Sequence, residues 1–154
     1  MAVMTKEEFA QEVRGYTLHL YRLAFSILQN GADAEDAVSE AILRAYEKLG
    51  TLKNRDSFRN WILQITANEA KKIYRQNRRT SPVEWEDNLS PEFYDEHHEL
   101  WDAVMQLDSG YRDAIVLFYY ERCTIQEISE ILECRQGTVK SRLHRAKEQL
   151  RAML

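Results

Sequence analysis

The C-terminal segment RQGTVKSRLHRAKEQL, residues 135–150, has the side chains best suited to binding a polyanion. It contains five lysines and arginines and a single acid, although the formal net charge of the chain is -4. Arginine, lysine, glutamine and serine are the side chains that hydrogen-bond base edges and hold phosphates. The segment therefore predicts a nucleic-acid surface. The alternative is a basic amphipathic helix that binds another protein.

Charge is also segregated along the rest of the chain. Residues 53–79 hold eight lysines and arginines against two acids, whereas residues 80–101 hold seven acids and no cation. The acidic stretch contains both prolines and has no apolar period, which is typical of a linker. We therefore expect two lobes, residues 1–79 and 99–154, joined by an acidic linker at residues 80–98. A basic surface on each lobe favours a nucleic acid as the partner over simple solvated helix faces.

The elements that would carry these surfaces are predicted to be helices, giving an all-α fold. Glycine and proline number only five and two, and apolar side chains recur at three- and four-residue steps. Three helices are expected in the first lobe, the second of them capped by Asp33. Their predicted buried positions are Phe9, Val13, Tyr16, Leu20, Leu23 and Ile27; Ala37, Val38, Ala41, Ile42, Ala45 and Leu49; and Phe58, Trp61, Ile62, Ile65 and Ile73.

The second lobe is predicted to begin with two short helices and to end in a helix-turn-helix. Thr124 and Glu127 fit a capping box at the start of a short helix, and the ECRQG turn separates it from a longer basic helix. Val139 and Leu143 fix the buried direction of the longer helix, so its cations face outward or flank the apolar stripe. The second helix of such a motif enters the DNA major groove, which favours duplex DNA as the ligand.

Other features of the sequence have simpler interpretations. Trp61, on an apolar stripe, is more often a core residue than a platform for base stacking. Cys123 and Cys134 match no metal-binding spacing and are interpreted as structural thiols. The sequence contains no catalytic motif, phosphate-binding glycine loop, metal site or cofactor signature, so we expect neither enzymatic activity nor a small-molecule substrate. It also lacks a membrane-spanning apolar run and a signal peptide, which predicts a cytoplasmic protein.

Three segments resemble a known family in order and spacing. They are YRLAFSILQNGADAEDAVSEAILRAYEKL, FRNWILQITANEAKKIYRQNRR and TIQEISEILECRQGTVKSRLHRAKEQLRAML. These segments are similar to the second and fourth conserved regions of the extracytoplasmic-function (ECF) sigma factors of bacterial RNA polymerase. The resemblance covers nearly the whole chain, and DAEDAV and GTVKSRLHRA are its most specific parts.

The resemblance implies a role for each lobe. The first would bind the clamp coiled coil of the polymerase beta-prime subunit and open the -10 promoter element, flipping a base out at a cost of a few kcal/mol. The second would read the -35 element as duplex, and the acidic linker would run through the polymerase interior. The implied partners are thus core RNA polymerase, through its beta-prime and beta subunits, and promoter DNA. Members of the family are often held inactive by an anti-sigma factor, which would be a third partner.

The resemblance also assigns residues to these roles. Those for core polymerase are Asp33, Glu35, Asp36 and Glu40. Those for the -10 strand are Asn60, Trp61 and Asn68 as the single-strand site and Lys71, Lys72, Arg75 and Arg78 as backbone contacts. Those for the -35 duplex are Arg135, Gln136, Thr138, Lys140, Ser141, Arg142 and Arg145.

Two residues of the turn depart from the family pattern. Glu133 stands where glycine is common, so a positive φ at this position would cost on the order of 1 kcal/mol. Arg135 stands where a capping serine is common, which removes an N-cap and places a cation at the positive end of a helix. The same cation would be favourable beside a phosphate.

A stand-alone helix-turn-helix regulator and a helical adaptor without a DNA role are the competing interpretations. A regulator usually needs a dimer to match two half-sites, and the sequence has no sustained heptad seam. The regulator interpretation also does not explain the acidic second helix, and the adaptor interpretation does not explain the two basic surfaces. The negative net charge fits a subunit that binds DNA poorly until polymerase spaces its two surfaces correctly.

Overall fold

The computed structural model describes residues 3–80 and 98–154, and helices dominate both ranges. The first range contains α1 (Lys6–Leu28), α2 (Gly31–Glu47) and α3 (Phe58–Thr80), with 3₁₀ turns at Leu49–Thr51 and Arg55–Ser57. The second contains α4 (His98–Met105), α5 (Tyr111–Ile115), which continues as a π-helical turn (Val116–Tyr120), α6 (Ile125–Leu132) and α7 (Gln136–Met153). The predicted all-α class is confirmed. Residues 81–97 of the predicted linker lie outside the described residues.

Side chains cap the first two helices, and the cap of the second is not the predicted residue. The Thr5 hydroxyl accepts a hydrogen bond from the Glu8 amide at 3.1 Å, and the Glu8 carboxylate accepts one from the Thr5 amide at 3.0 Å. At α2 the cap is Asn30, whose side-chain oxygen accepts from the Asp33 amide at 2.9 Å. The prediction of Asp33 as the cap was wrong, because the extended backbone of an N-cap occurs at Asn30 and Asp33 already lies in the first helical turn.

Small side chains on α2 bring the three helices of the first lobe together. Ala34, Ala37, Ala41 and Ala45 are completely buried. Their size lets α1 and α3 approach the α2 backbone closely, so this lobe has a compact apolar interior. Of the predicted buried residues on α1, only Tyr16 stays half-buried.

The predicted buried face of α3 was only partly right. Phe58 and Ile62 are buried, but Trp61, Ile65 and Ile73 are half-buried. The apolar residues that are buried on α3 also include Leu63, Ala67 and Ala70, so the face that packs on α1 and α2 is centred beside the predicted stripe, and α6 contacts α3 as well. Periodicity alone locates the centre of a single stripe and does not reveal a second packing partner.

The second lobe places α7 over α5 and α6. Val139 and Leu143 are buried, as predicted, and Ala146 and Leu150 complete the buried face of α7. Met153 continues the same apolar stripe and is predicted to point inward as well, but it is exposed because it lies in the last turn of the helix. The buried α7 residues meet Ile128 and Ile131 of α6 in the same core cluster. These contacts fix the direction in which the opposite, charged face of α7 points.

The two lobes also pack directly against each other, which the sequence did not predict. The rings of Phe25 in α1 and Trp101 in α4 lie 6.3 Å apart, and the buried apolar residues of both lobes form one cluster. The Gln29 side-chain amide donates to the Met105 carbonyl at 2.6 Å. The described residues therefore form one joined body with a cleft on the α3–α6 side.

Candidate nucleic-acid interface

The helix-turn-helix predicted from the sequence is present at α6 and α7. The Thr124 hydroxyl accepts from the Glu127 amide at 3.1 Å, and the Glu127 Oε1 atom accepts from the Thr124 amide at 2.8 Å, which completes the predicted capping box. α6 ends at Leu132, and its C-cap residue Glu133 has a left-handed backbone with a φ of 55° and a ψ of 50°. The expected strain at Glu133 is therefore real, and the sharp turn brings α7 back across α6.

α7 presents most of its predicted DNA contacts to solvent. The exposed ones are Arg135, Gln136, Lys140, Ser141 and Arg145. Thr138 and Arg142 are half-buried. The Arg142 guanidinium lies over the Gly110 turn, where an added Cβ would sit 3.6 Å from its Cζ atom, so this side chain also supports the start of α5. Arg135 is the N-cap residue and makes no side-chain capping bond, as its type predicts.

The predicted -10 residues on α3 are divided between solvent and α6. Lys72, Arg75 and Arg78 are exposed, whereas Asn60, Trp61, Asn68 and Lys71 are half-buried. The Asn60 side-chain amide donates to Glu127 Oε2 at 2.6 Å, and Lys71 Nζ donates to the Leu132 carbonyl at 3.0 Å. Both acceptors belong to α6 or its final turn. Part of this surface is thus already occupied by the second lobe.

Arg59 and the second oxygen of Glu127 form a contact that sequence reasoning missed. Arg59 Nη2 lies 3.1 Å from Glu127 Oε2, and Arg59 Nη1 donates to the Glu121 carbonyl at 3.1 Å. The Thr124 backbone amide above all, and then the Asn60 amide, lower the pKa of Glu127 to about 2. The capping box identified Glu127 as a helix cap, but a capping motif carries no signal for a partner on another helix.

A polar cleft beside Lys71 brings several predicted residues together. Its volume is about 410 Å³. It is lined by Arg44, Lys48, Ile65, Asn68, Glu69, Lys71, Lys72, Arg75, Leu132 and Glu133. The Glu69 carboxylate lies 3.5 Å from Arg44 Nε and 3.2 Å from Lys72 Nζ. The excess of cations suits a phosphate-bearing ligand, and the contribution of α2 through Arg44 and Lys48 was not predicted.

The predicted acidic face of α2 is largely free. Glu35, Asp36 and Glu40 are exposed. Asp33 differs because its Oδ2 atom accepts a hydrogen bond from the Asn77 side chain of α3 at 2.8 Å. Three of the four predicted acids therefore form a surface available to a protein partner, and Asp33 holds α2 to α3.

The thiols and other candidate sites are unremarkable in the described ranges. Burial raises the pKa of the Cys123 thiol to about 11, as expected for a structural cysteine, and Cys134 is a half-buried free thiol. Within residues 3–80 and 98–154, no three His, Cys, Asp or Glu side chains are grouped so that they could hold a metal ion. In the same ranges no helix combines the length and apolar character that crossing a membrane requires.

Two family models match the chain, one on each lobe. Residues 13–80 match the model described as Sigma-70 region 2. Residues 97–150 match the model described as Sigma-70, region 4. The order of the two matches along the chain is the order of the two lobes.

Curated relatives and solved structures agree with these matches. RNA polymerase sigma factor SigV of Bacillus subtilis is 31% identical over 87% of this chain and 83% of its own length. ECF RNA polymerase sigma factor SigW of the same organism is 30% identical over 97% and 90%. The fold is similar to that of the sigma factor RpoE in complex with the anti-sigma factor NepR from Bartonella quintana, with a TM-score of 0.81 and 23% identity. The match covers 95% of this chain and 96% of that one.

Proposed function

The chain belongs to the extracytoplasmic-function family of sigma-70 factors, and from this premise we propose how its surfaces divide promoter recognition between them. We assign residues 99–154 to the -35 element, which α7 would read in the major groove through its N-terminal half. The observation that carries the assignment is the exposed row of polar and basic side chains on α7, opposite its buried apolar face. Gln136, Lys140, Ser141 and Arg145 are the proposed base readers, with Arg135, Thr138 and Arg142 as neighbouring contacts.

We assign residues 1–79 to core polymerase and to the -10 element. The polar cleft beside Lys71 would hold the backbone of the opened strand through Lys71, Lys72 and Arg75, because it joins a phosphate-sized space to an excess of cations. Asn60 and Trp61 would shape the site of a flipped base at the start of α3, where Trp61 keeps a partly exposed ring beside Phe58. Asn68 and Arg78 complete this proposed surface.

The proposed contact with core polymerase is the exposed acidic face of α2. Glu35, Asp36 and Glu40 project from one side of this helix without entering the core of the lobe. Negative charge on a rigid helix suits a basic partner surface and would orient the subunit as it docks. Asp33 would contribute by holding α2 against α3 through Asn77.

The same proposal covers location and control. The chain would act in the cytoplasm with polymerase, supplying promoter recognition while core polymerase supplies the chemistry of RNA synthesis, so we assign it no enzymatic step. Residues 80–98 would connect the two DNA-binding lobes inside the polymerase. We also propose control by an anti-sigma factor, supported by the likeness of the fold to sigma factors solved with such partners, including CnrH in complex with the cytosolic domain of CnrY.

Run-off transcription tests the proposal directly. Core polymerase is given a panel of bacterial promoters with and without the chain, and initiation at some promoters should depend on it. The double variant Asp36→Lys with Glu40→Lys should lose run-off product and core binding together. Its matched control, Asp102→Lys with Glu130→Lys, reverses two exposed acids on the second lobe and should keep both. Initiation that never depends on the chain would overturn the proposed function.

A further inference from the structure

The polar cleft beside Lys71 is concave and strongly basic. Its volume of about 410 Å³ lies within the range of roughly 300–1,000 Å³ that is typical of small-molecule pockets. Among the described residues that line it, five are lysine or arginine and two are glutamate, which leaves an excess of three positive charges. Of the same lining residues only Ile65 and Leu132 are apolar. This composition favours a compact anion over an apolar ligand.

Three helices supply the walls of this cleft. The cations come from the C-terminal end of α2 and from one side of α3, and they are Arg44, Lys48, Lys71, Lys72 and Arg75. Leu132 and Glu133, at the end of α6, form a third wall. A pocket with three walls suits a compact ligand better than an extended strand, whose backbone follows a groove.

Glu69 positions two of the cations at the wall of the cleft. This residue is only 8% exposed, and its Oε1 atom lies 3.5 Å from Arg44 Nε and 3.2 Å from Lys72 Nζ. A second nitrogen of Arg44 lies 3.6 Å from Glu47. An ammonium group has three donor hydrogens and a guanidinium has five, so both cations keep donors beyond these contacts. Glu69 therefore orders Arg44 and Lys72 and leaves part of their hydrogen-bonding capacity for a ligand.

The remaining cations of the cleft are less engaged. Within residues 3–80 and 98–154, the exposed side chains of Lys48 and Arg75 have no hydrogen bond or ion pair. Lys71 Nζ donates to the Leu132 carbonyl at 3.0 Å, which uses one of its three hydrogens. Lys71 and Lys72 precede Arg75 by four and three residues on the same helix, so these like charges repel one another. A multivalent anion between them would relieve the repulsion.

A pyrophosphate group matches these donors better than a single phosphate does. It carries more negative charge and more acceptor oxygens, so it can contact cations of α2 and α3 at the same time. Arginine also binds phosphate oxygens in pairs through its planar guanidinium. The two apolar lining residues are too few to enclose a nucleobase. The recognised chemistry is therefore the pyrophosphate group itself, either free or at the end of a nucleotide.

We propose that the cleft between α2, α3 and the end of α6 binds a small pyrophosphate-bearing anion in the free chain. Arg44 and Lys48 hold the anion from α2, and Lys72 and Arg75 hold it from α3. The site does not depend on any role in transcription. Under the proposed function the cations of α3 also hold the -10 strand, so the anion and the strand exclude each other, and this consequence alone rests on that function.

Isothermal titration calorimetry of the free chain at low salt tests the site. Inorganic pyrophosphate and adenosine diphosphate should bind with similar affinity, and inorganic phosphate about tenfold more weakly. Lys48→Gln should weaken pyrophosphate binding about fivefold, because it removes one partly screened charge from the α2 wall. The control Lys53→Gln changes an exposed lysine that does not line the cleft and should leave the affinity unchanged. Equal losses in both variants, or pyrophosphate binding no tighter than phosphate binding, would overturn the proposal.

A change of the opposite sign provides a second test. Glu69→Gln keeps the shape of the side chain but removes the carboxylate that competes for Arg44 and Lys72, so pyrophosphate affinity should rise about fivefold. The control Glu99→Gln makes the same change in charge at an exposed site on α4 and should have no effect. A purely structural role of Glu69 predicts no rise, and that result would contradict the proposal.

The proposed function and this site can fail separately. A labelled single-stranded oligonucleotide, followed by fluorescence anisotropy, should be displaced from the free chain by inorganic pyrophosphate. If the oligonucleotide binds and none of the small anions does, the cleft is a strand site only and the pyrophosphate proposal is wrong. If pyrophosphate binds as expected but run-off transcription never depends on the chain, the site stands and the proposed function falls.

Discussion

The basic surfaces of α3 and α7 are alike in charge and differ in accessibility. On α7, Gln136, Lys140 and Arg145 are exposed. On α3, Asn60 and Lys71 are half-buried and hydrogen-bonded to α6. The two helices would serve the same promoter, yet only one of them is ready to bind in the packed chain. Charge composition identifies a candidate DNA surface, whereas tertiary packing decides when that surface is available.

The largest expected effect compares one lysine from each surface. Lys140→Ala should weaken binding of the free chain to a -35 duplex about tenfold, because it removes an exposed contact with a base edge or phosphate. Lys71→Ala should leave that duplex affinity unchanged, because Lys71 is engaged by the Leu132 carbonyl. With core polymerase present, Lys71→Ala should instead reduce open-complex formation. Anisotropy at low salt and permanganate footprinting of the opened strand would measure the two effects.

An exposed cation away from both surfaces controls for changes in overall charge. Arg14 is exposed on α1, and Arg14→Ala should leave both the duplex affinity and strand opening unchanged. If Lys140→Ala and Arg14→Ala weaken duplex binding equally, binding depends only on overall charge and α7 is not the helix that contacts the duplex. If Lys71→Ala weakens binding of the free chain to the duplex as much as Lys140→Ala does, the difference between the two surfaces disappears.

Much of this molecule is predictable from its sequence, because local rules determine the relevant features. The helices, the Thr124 capping box, the left-handed Glu133 and the exposed face of α7 all follow from apolar period, cap chemistry and backbone sterics. The Asp33 prediction failed because Asn30 is as good a cap and sequence alone does not say which residue leaves the helix. Even that error moved the cap by only three residues, within the same turn.

The contact between the lobes could not be predicted in the same way. Arg59 and Glu127 are 68 residues apart, and nothing in their local patterns links them. Arg112 has the residue type of a surface cation but is buried at the joint with Ser26. Local propensity and periodicity do not indicate such pairs, because the pairing depends on the relative orientation of the two lobes. The covered state of α3 therefore emerges only from the structure.

A smaller effect concerns Asp113, which lies at the buried contact between Arg112 of the second lobe and Ser26 of the first. Burial raises the pKa of Asp113 to about 6, against the opposing influence of Arg112, Lys71, Ser26 and Arg142, which face it. The folded chain thus takes up this proton at a higher pH than the unfolded chain does. Protonation of Asp113 therefore stabilises the folded chain as the pH falls through about 6, and this contribution is absent at higher pH. Urea unfolding should show that the free energy of unfolding rises by something on the order of 1 kcal/mol between pH 7.5 and 5.5.

Asp113→Asn isolates that proton from the other groups that titrate. The variant keeps the shape of the side chain and should lack the part of the pH-dependent gain that Asp113 supplies, since histidines and other acids contribute equally to both proteins. Glu127 does not interfere, because its lowered pKa of about 2 places its effect on stability at more acidic pH. An identical pH dependence in the two proteins would show that Asp113 does not titrate in this range.

The smallest expected effect separates stability from DNA binding at the entrance of α7. Arg135→Ser should stabilise the chain by about 0.5 kcal/mol, because a serine hydroxyl can cap the first amides of α7 and the cation at its positive end is removed. The same change should weaken -35 duplex binding and lower its salt dependence if Arg135 holds a phosphate. Urea unfolding and anisotropy at several salt concentrations would report the two quantities. If Arg135→Ser raises stability and lowers duplex affinity, α7 gives up helix stability for DNA contact. If the variant raises both stability and affinity, Arg135 is only a poor N-cap and does not contact DNA. In either case Lys71 does not trade helix stability for DNA contact in the free chain, because its amine binds the Leu132 carbonyl of α6 instead of DNA.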